Sequence, residues 1–509
     1  MGAQGMKLKV KYFDVDASEP TVLMHDDDCE EIGVQENDRV RLEAKGTATA
    51  LVSRTDTLVE RGTIMVPAKT MAVTGAKDGS LISVEFAPAP ESVRSIRKKM
   101  DGEVLSKDEI FGIVRDILDT KLSKIEISAW LTSLYINGMC IEEIADFATA
   151  MVDTGDRIVF DRKPVYDFHS MGGVPGNKVT PIVVSIVAAA GLMLPKTSSR
   201  AISSACGTSD FVETFCEVAL SADRLKDVAE DTGGALAWGG AINLAPVDDL
   251  VIKIEHPLGI NPRAQMLASI LSKKLAIGAE YLLIDIPMGV GTKVPDIDSA
   301  RAYARDFMDL GDKLGMHVEC AITYADQPVG SAVGPNLEAR ECIRILEGDG
   351  HPASVAEKAC ELAGIVLEMG GISNGSVKAR EILNSGAALR KFKEIVEAQG
   401  GSPEIKSEDL KPGEFMAELR SNKSGYVHGI KNKDIVAVAK AAGSPNDKGA
   451  GLLLFRKKGQ RVESGDVLME IYAENEAKLQ RAMNLAERYQ PVDIQGMLIK
   501  RVSVPNVKR

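Results

Sequence analysis

The chain lacks any pair of cysteines at C-x-x-C spacing, although it runs to 509 residues. Its seven cysteines (Cys29, Cys140, Cys206, Cys216, Cys320, Cys342 and Cys360) are odd in number and scattered. That excludes the disulfide framework of a small secreted domain and fits a reducing compartment. Only six histidines occur. His25 and His428 fall in the outer parts of the chain and His317 and His351 stand alone, so metal-ligand spacing is absent and neither metal nor cofactor is expected. A basic surplus is missing too: 73 acidic residues face 61 basic ones, for a net charge of −12. With no basic arm or stripe, binding to a nucleic acid polymer is not expected. A small anionic ligand stays open, because the local field and not the net charge decides it. Long apolar runs are lacking. The longest, Pro181 to Leu194, spans about 14 residues, where a membrane helix needs roughly 20. Met1 to Lys9 has no apolar centre for a signal peptide. Neither a solenoid repeat nor a low-complexity tract is present. What is there is ordinary for a folded soluble protein: 45% hydrophobic residues promise a sizeable core. A cytoplasmic, soluble chain without a membrane partner is expected.

The pattern changes along the chain. Lys7–Tyr12, Asp38–Glu43 and Leu81–Phe86 alternate with period two, so residues 1–87 read as a small β-rich domain. Ala87-Pro88-Ala89-Pro90 is a stiff linker. Asp108–Leu118, Glu126–Tyr135 and Ile141–Val152 carry apolar residues at helical spacing, which predicts three helices in series, a small bundle over 91–160. Beyond residue 160, apolar runs (Ile182–Val187, Tyr281–Ile286, His317–Ile322) alternate with helical patterns. That is the texture of a mostly parallel α/β domain, here 161–249 and 281–415, whose ligands sit at the C-terminal ends of strands. Arg263–Ile277 reads as a helix that interrupts it, and about 250–280 is assigned back to the bundle. Residues 420–509 mix strands with a helix, an α+β domain.

Two loops carry the chemistry. Asp167-Phe168-His169-Ser170-Met171-Gly172-Gly173-Val174-Pro175-Gly176-Asn177-Lys178-Val179-Thr180 is the first. The second follows Lys196 and holds Ser198, Ser199, Ser203, Ser204 and Thr208. Glycines let backbone approach an oxyanion and hydroxyls donate to it. The first loop is not a Walker motif, since Asn177 stands between Gly176 and Lys178 and Val179 follows the lysine. His169 at its mouth is a candidate general acid, electrostatic stabiliser or phosphate ligand. Ser269 and Lys273, four apart, share a helix face and could hold a polar heterocycle. Lys293 lies in a glycine loop after the buried run Tyr281–Ile286, the position of a ligand contact.

Four segments in order, His169–Val174 (H-S-x-G-G-V), Pro195–Arg200 (P-K-x-S-x-R), Gly207–Asp210 (G-T-x-D) and Ala268–Lys274 (A-S-I-L-S-K-K), resemble the thymidine/pyrimidine nucleoside phosphorylase family. The extra N-terminal β domain and Ser199-Arg200-Ala201-Ile202-Ser203-Ser204 look most like its archaeal branch, the AMP phosphorylases. The resemblance covers about residues 92–500. It implies a multidomain α/β fold, with an N-terminal barrel-like domain, a helical domain, a large α/β domain facing it across a cleft, and a C-terminal α+β domain. It implies a reaction in which phosphate displaces the base of AMP, CMP or UMP to give ribose 1,5-bisphosphate. Inorganic phosphate is then a co-substrate, and a homodimer or larger homo-oligomer is expected. By the same resemblance Ser170, Thr180, Ser198 and Thr208 would hold phosphate. Gly173, Thr208 and residues Ser199, Arg200, Ala201, Ile202, Ser203 and Ser204 would hold the nucleotide. Ser269 and Lys293 would contact the rest of it, and Lys273 would lie near the base.

Two positions depart from the family pattern. Phe168 stands where the nucleoside enzymes carry a lysine before the histidine. Asn261 stands where the archaeal members carry an aspartate that protonates the departing base. An amide can donate a hydrogen bond but not a proton. An inactivated chain, one that uses water or His169 as the acid, and a slower homologue all fit this substitution. A nucleoside phosphorylase and a nucleotide-binding protein without turnover are the rival readings.

Overall fold

In a computed structural model, residues 5–14, 19–201, 204–498 and 500 are described. They form two compact units, Met1–Thr154 with Ala245–Ser269, and Gly155–Leu244 with Ile270–Arg509.

The chain begins with β1 (Met6–Phe13), β2 (Thr21–His25), α1 (Asp26–Ile32), β3 (Arg39–Glu43), β4 (Thr47–Thr55), β5 (Thr63–Pro67), α2 (Ala68–Thr74) and β6 (Leu81–Ala87). The six strands close in the order β1-β5-β2-β4-β3-β6. Inward Leu8, Val10, Val22, Met24, Val40, Leu42, Val52, Ile64, Val66 and Val84 fill the interior, as period-two alternation requires. Four helices follow: α3 (Glu91–Met100), α4 (Lys107–Leu118), α5 (Lys124–Asn137) and α6 (Ile141–Asp153). Ser106 and Ser123 start α4 and α5 with reciprocal capping boxes to Glu109 and Glu126. Helical spacing predicts the last three of these; α3 has few apolar residues and no polar cap at Pro90. Arg39 of the barrel pairs with Glu126 and donates to the Lys121 carbonyl at 3.1 Å, fastening barrel to bundle.

The second unit opens with β7 (Tyr166–Ser170), α7 (Thr180–Ala189), β8 (Leu194–Ser198), α8 (Thr208–Val212), α9 (Ala222–Thr232) and β9 (Gly234–Trp238). The run Ile182–Val187, read above with the strands, is the middle of helix α7 and is buried throughout. A short β-branched run bounded by glycine loops fits a strand or a wholly buried helix equally, and burial on every side won. The chain then returns to the first unit with α10 (Pro246–Leu258), which packs on α4, α5 and α6. The division between units falls within α11 (Arg263–Ala276). Next come β10 (Tyr281–Met288), α12 (Ile297–Leu314), β11 (His317–Tyr324), β12 (Ala332–Val333), α13 (Pro335–Leu346), α14 (Ala353–Met369), α15 (Gly375–Asn384) and α16 (Ala387–Ala398). Strands β11-β10-β7 are parallel, with His169 level with Ile284 and Ser170 with Asp285. β8 and β9 form a second parallel pair, joined to the first by a bridge between Val165 and Met193. α7, α13, α14 and α16 pack over them around Phe168, Val183, Ile186, Phe211 and Phe392.

The rest holds β13 (Phe415–Arg420), β14 (Gly425–Ile430), α17 (Asn432–Ala442), β15 (Gly451–Leu454), β16 (Arg461–Val462), β17 (Val467–Ala473), α18 (Glu476–Tyr489) and β18 (Val492–Gln495). β12 pairs with β15, so a strand from before α13 edges this last sheet. Ser444 reaches the Ala205 carbonyl at 2.8 Å and Asn432 that of Ala325 at 2.9 Å. No helix of the described residues is long and apolar enough to cross a membrane.

Candidate active site

In the second unit the C-terminal ends of β7, β8 and β10 each pour into a small-residue loop. After β7, Gly172, Gly173 and Gly176 take positive φ of 74°, 85° and 74°, a region open to glycine without steric cost. A Cβ at Gly173 would stand 3.3 Å from Cγ of Lys293, so the loops after β7 and β10 touch here. Ser170 ends β7 half-buried, and its hydroxyl accepts from the Asn177 amide at 2.9 Å. Thr180 opens α7; in that first turn Pro181 has no N–H to give, and the Val183 N–H goes to the Val179 carbonyl at 2.9 Å. Lys178 is turned away. It is fully buried, donates to the Val329 carbonyl at 3.0 Å and pairs with Glu341, a structural tie and not the phosphate-gripping lysine of a Walker loop.

The loop after β8 folds back on itself. Asp210 takes the Ala201 N–H at 2.7 Å and the Gly207 N–H at 2.9 Å on one carboxylate oxygen. A Cβ at Gly207 would fall 2.6 Å from the Ala201 nitrogen, so only glycine closes the loop there. Ser209 seals the base by donating to the Ser198 carbonyl at 3.1 Å. Ser198, Ala201, Ser204 and Thr208 are half-buried and Ser199 is exposed. Ser204 donates to the Cys206 carbonyl at 3.1 Å. Arg200 binds Glu213 through its two terminal guanidinium nitrogens and lies over the Trp238 ring, 4.7 Å from its centroid. That guanidinium, with Lys448, holds the Glu213 carboxyl down at about 2. Ile202 and Ser203 lie outside the described residues.

His169 is enclosed by positive charge. Burial first, then Lys274, Lys196, Lys273 and Lys293, push its pKa well below the ordinary histidine value. It is therefore a neutral imidazole at pH 7, able to donate or accept a hydrogen bond. Lys273 is half-buried on α11, and Lys293 is exposed in the loop after β10. Thus Gly173 and Lys293 meet directly, and His169 feels Lys273 and Lys293.

Asn261 and Ser269 belong to the first unit. Asn261 is exposed just before α11, its amide 3.7 Å from Met266 Sδ. Ser269 donates to Asp248 at 2.8 Å, and Gln265 donates to the same buried carboxylate at 2.9 Å. Sequence reasoning passed over Asp248, because an acidic residue in a first helical turn is commonplace. Asp210 belongs to the G-T-x-D motif, where an aspartate three residues past a glycine can brace the loop in this way. Asp167, Lys196 and Lys274 were also missed as a group. Among the described residues no three His, Cys, Asp or Glu side chains gather as a metal site.

Comparison with known proteins matches this architecture piece by piece. Residues 93–155 fit the model of the glycosyl transferase family helical bundle domain, 162–389 its a/b domain, and 426–493 the pyrimidine nucleoside phosphorylase C-terminal domain. The AMP phosphorylase of Thermococcus kodakarensis is 49% identical over 500 residues, spanning 98% of this chain and 99% of its own. The chain belongs to the AMP phosphorylase family. The AMP phosphorylase of Pyrococcus furiosus is 47% identical over 97% of this chain, and that of Methanosarcina mazei 46% over 98%. Among solved structures, anthranilate phosphoribosyltransferase from Thermus thermophilus covers 60% of this chain and 99% of its own, with a TM-score of 0.51 and 20% identity. That likeness concerns the fold alone.

Proposed function

We propose that this chain is a pentosyltransferase that cleaves nucleoside 5′-monophosphates, AMP foremost, with phosphate. A phosphate oxygen bonds to C1′ of the ribose as the C1′–N bond breaks. The bond pair leaves with the base, which takes up a proton, and the products are free base and ribose 1,5-bisphosphate. The observation that carries this is likeness to AMP phosphorylases along nearly the whole of both chains. The loops after β7 and β8 suit it. Ser170, Thr180, Ser198 and Thr208 are read as donors to the attacking phosphate. Gly173 and Ser199–Ser204 are read as the nucleotide loop, with Lys273, Lys293 and Ser269 as further contacts. Holding nucleophile and sugar in line can lower the barrier by about 7–11 kcal/mol, and little covalent work is left to the protein. Phosphate is a co-substrate here, and no metal or other cofactor is required. The same reading carries CMP and UMP as further substrates, a homo-oligomer and a cytoplasmic setting.

Asn261 shapes the last step. Its amide can hydrogen-bond the departing base while the proton comes from solvent. His169 is a poor substitute, because burial first, and then the lysines around it, hold its pKa well below the ordinary histidine value. The test is release of adenine from AMP with and without phosphate. Phosphate-dependent adenine with an equal yield of ribose 1,5-bisphosphate supports the reading. Adenine without phosphate dependence, or adenosine as the better substrate, would overturn it.

A further inference from the structure

Beneath the first loop lies a cluster of buried charge in which two lysines of the motifs, Lys196 and Lys274, take part. Side chains alternate along β7. Phe168 therefore faces the apolar core, where it packs with Val183, Ile186 and Phe211, and a lysine at that position would enter hydrocarbon. Asp167 and His169 face the other way. There, Asp167 is 0% exposed, Lys274 2% and Lys196 4%. Lys274 pairs with Asp167 at 2.8 Å. Lys196, on β8 two residues before Ser198, donates to the Thr197 carbonyl, and the Lys274 charge acts on it. Of these two buried amines near His169, it is Lys274 that pairs with the Asp167 carboxylate, which acts on Lys196 only through its charge. From the other elements, Lys273 on α11 and Lys293 after β10 also act on His169.

A buried amine without a counter-charge costs stability, and an apolar side chain of the same size would cost less. The arrangement makes sense if its counter-ion is the substrate. We propose that Lys196 is a positioning residue for the attacking phosphate, supplying from β8 the positive charge that Phe168 does not supply from β7. This rests on the phosphorylase reading above. Burial first, then the Lys274 charge, hold Lys196 well below the ordinary lysine pKa, with Asp167 opposing them. An arriving dianion offsets the Lys274 charge, so Lys196 takes one proton from solvent as the anion binds. The site then binds a dianion together with a proton and discriminates against neutral ligands.

Sulfate tests this, since it is a dianion that does not itself titrate. Calorimetry of sulfate binding to the full chain at pH 8, in buffers of different ionisation heat, should show net proton uptake. Lys196→Met should abolish that uptake, weaken sulfate at least tenfold and raise KM for phosphate at least tenfold, with KM for AMP nearly unchanged. Lys196→Arg, permanently charged, should restore anion affinity without uptake. In anion-free buffer Lys196→Met should melt at or above the parent's temperature, whereas a merely structural lysine would leave it lower. Uptake that survives in Lys196→Met, or that disappears only in His169→Gln, overturns the proposal. So does an unchanged KM for phosphate. Sulfate and phosphate binding that does not depend on Lys196 refutes this inference alone, while a chain that binds neither anion and releases no adenine refutes the phosphorylase reading with it.

Discussion

Asp210→Asn probes the loop after β8 at its brace. In the parent one oxygen of Asp210 accepts two backbone N–H groups, from Ala201 at 2.7 Å and Gly207 at 2.9 Å, while the other faces Arg200 at 3.4 Å. A hydrogen bond to a charged group is worth roughly 1.5–3 kcal/mol and a neutral one roughly 0.5–1.5. The asparagine oxygen can still accept both N–H groups, so the loss is the charge: about 1 kcal/mol per bond, or about 2 kcal/mol in all. Its NH2 would also face the Arg200 guanidinium, donor against donor. Arg200 stays anchored by Glu213, so the damage is confined to the loop's closure. Two kcal/mol corresponds to roughly 30-fold, which should appear as a 30-fold loss of kcat/KM for AMP. Steady-state kinetics with each substrate varied in turn would read it, with circular dichroism to confirm the fold. Full activity in Asp210→Asn would refute the idea that this carboxylate holds the nucleotide loop in its working form.

Two further outcomes are expected. Asn261→Asp should raise turnover by about 10²- to 10⁴-fold, the usual worth of general-acid help, without much change in KM for AMP; equal turnover in both forms would remove the proton-donor role from this position. Glu338 is buried and its carboxyl is raised to about 7, by burial first. A carboxyl raised on folding stabilises most below its unfolded value, near 4.3, and that contribution is lost as pH climbs through 7. Glu338→Gln keeps an acceptor for the Gly334 N–H and carries no charge. Its melting temperature relative to the parent should therefore rise between pH 5 and pH 8, and a flat or falling difference would contradict the assignment.

What could be read from the sequence follows from how local each signal is. α4, α5 and α6 announce themselves through helical spacing over three turns or more. The two hydroxyl loops are legible because their glycines and serines are contiguous, and the rejected Walker pattern is matched by the inward turn of Lys178. α7 was hidden because β-branched residues on every side of a helix leave no period to detect. The Asp167, Lys196 and Lys274 cluster was hidden for another reason. Its members come from β7, β8 and α11, each looks like an ordinary solvated charge in its own segment, and only the packing of the three elements buries them. Asp248 under Ser269 has the same origin.

The return of α10 to the helices of the first unit bears on how the chain is made. Met1–Thr154 emerges first, but its partner Ala245–Ser269 follows only after all of Gly155–Leu244. At ~5–20 residues per second of synthesis, α4, α5 and α6 wait several seconds with the surface meant for α10 uncovered. The barrel, whose strands all lie before residue 88, has no such delay and can be finished early. Nascent chains of this protein are thus most exposed to aggregation and to chaperones in the middle of translation, and silent codon changes that slow the stretch from 155 to 244 would lengthen that interval without altering a single residue.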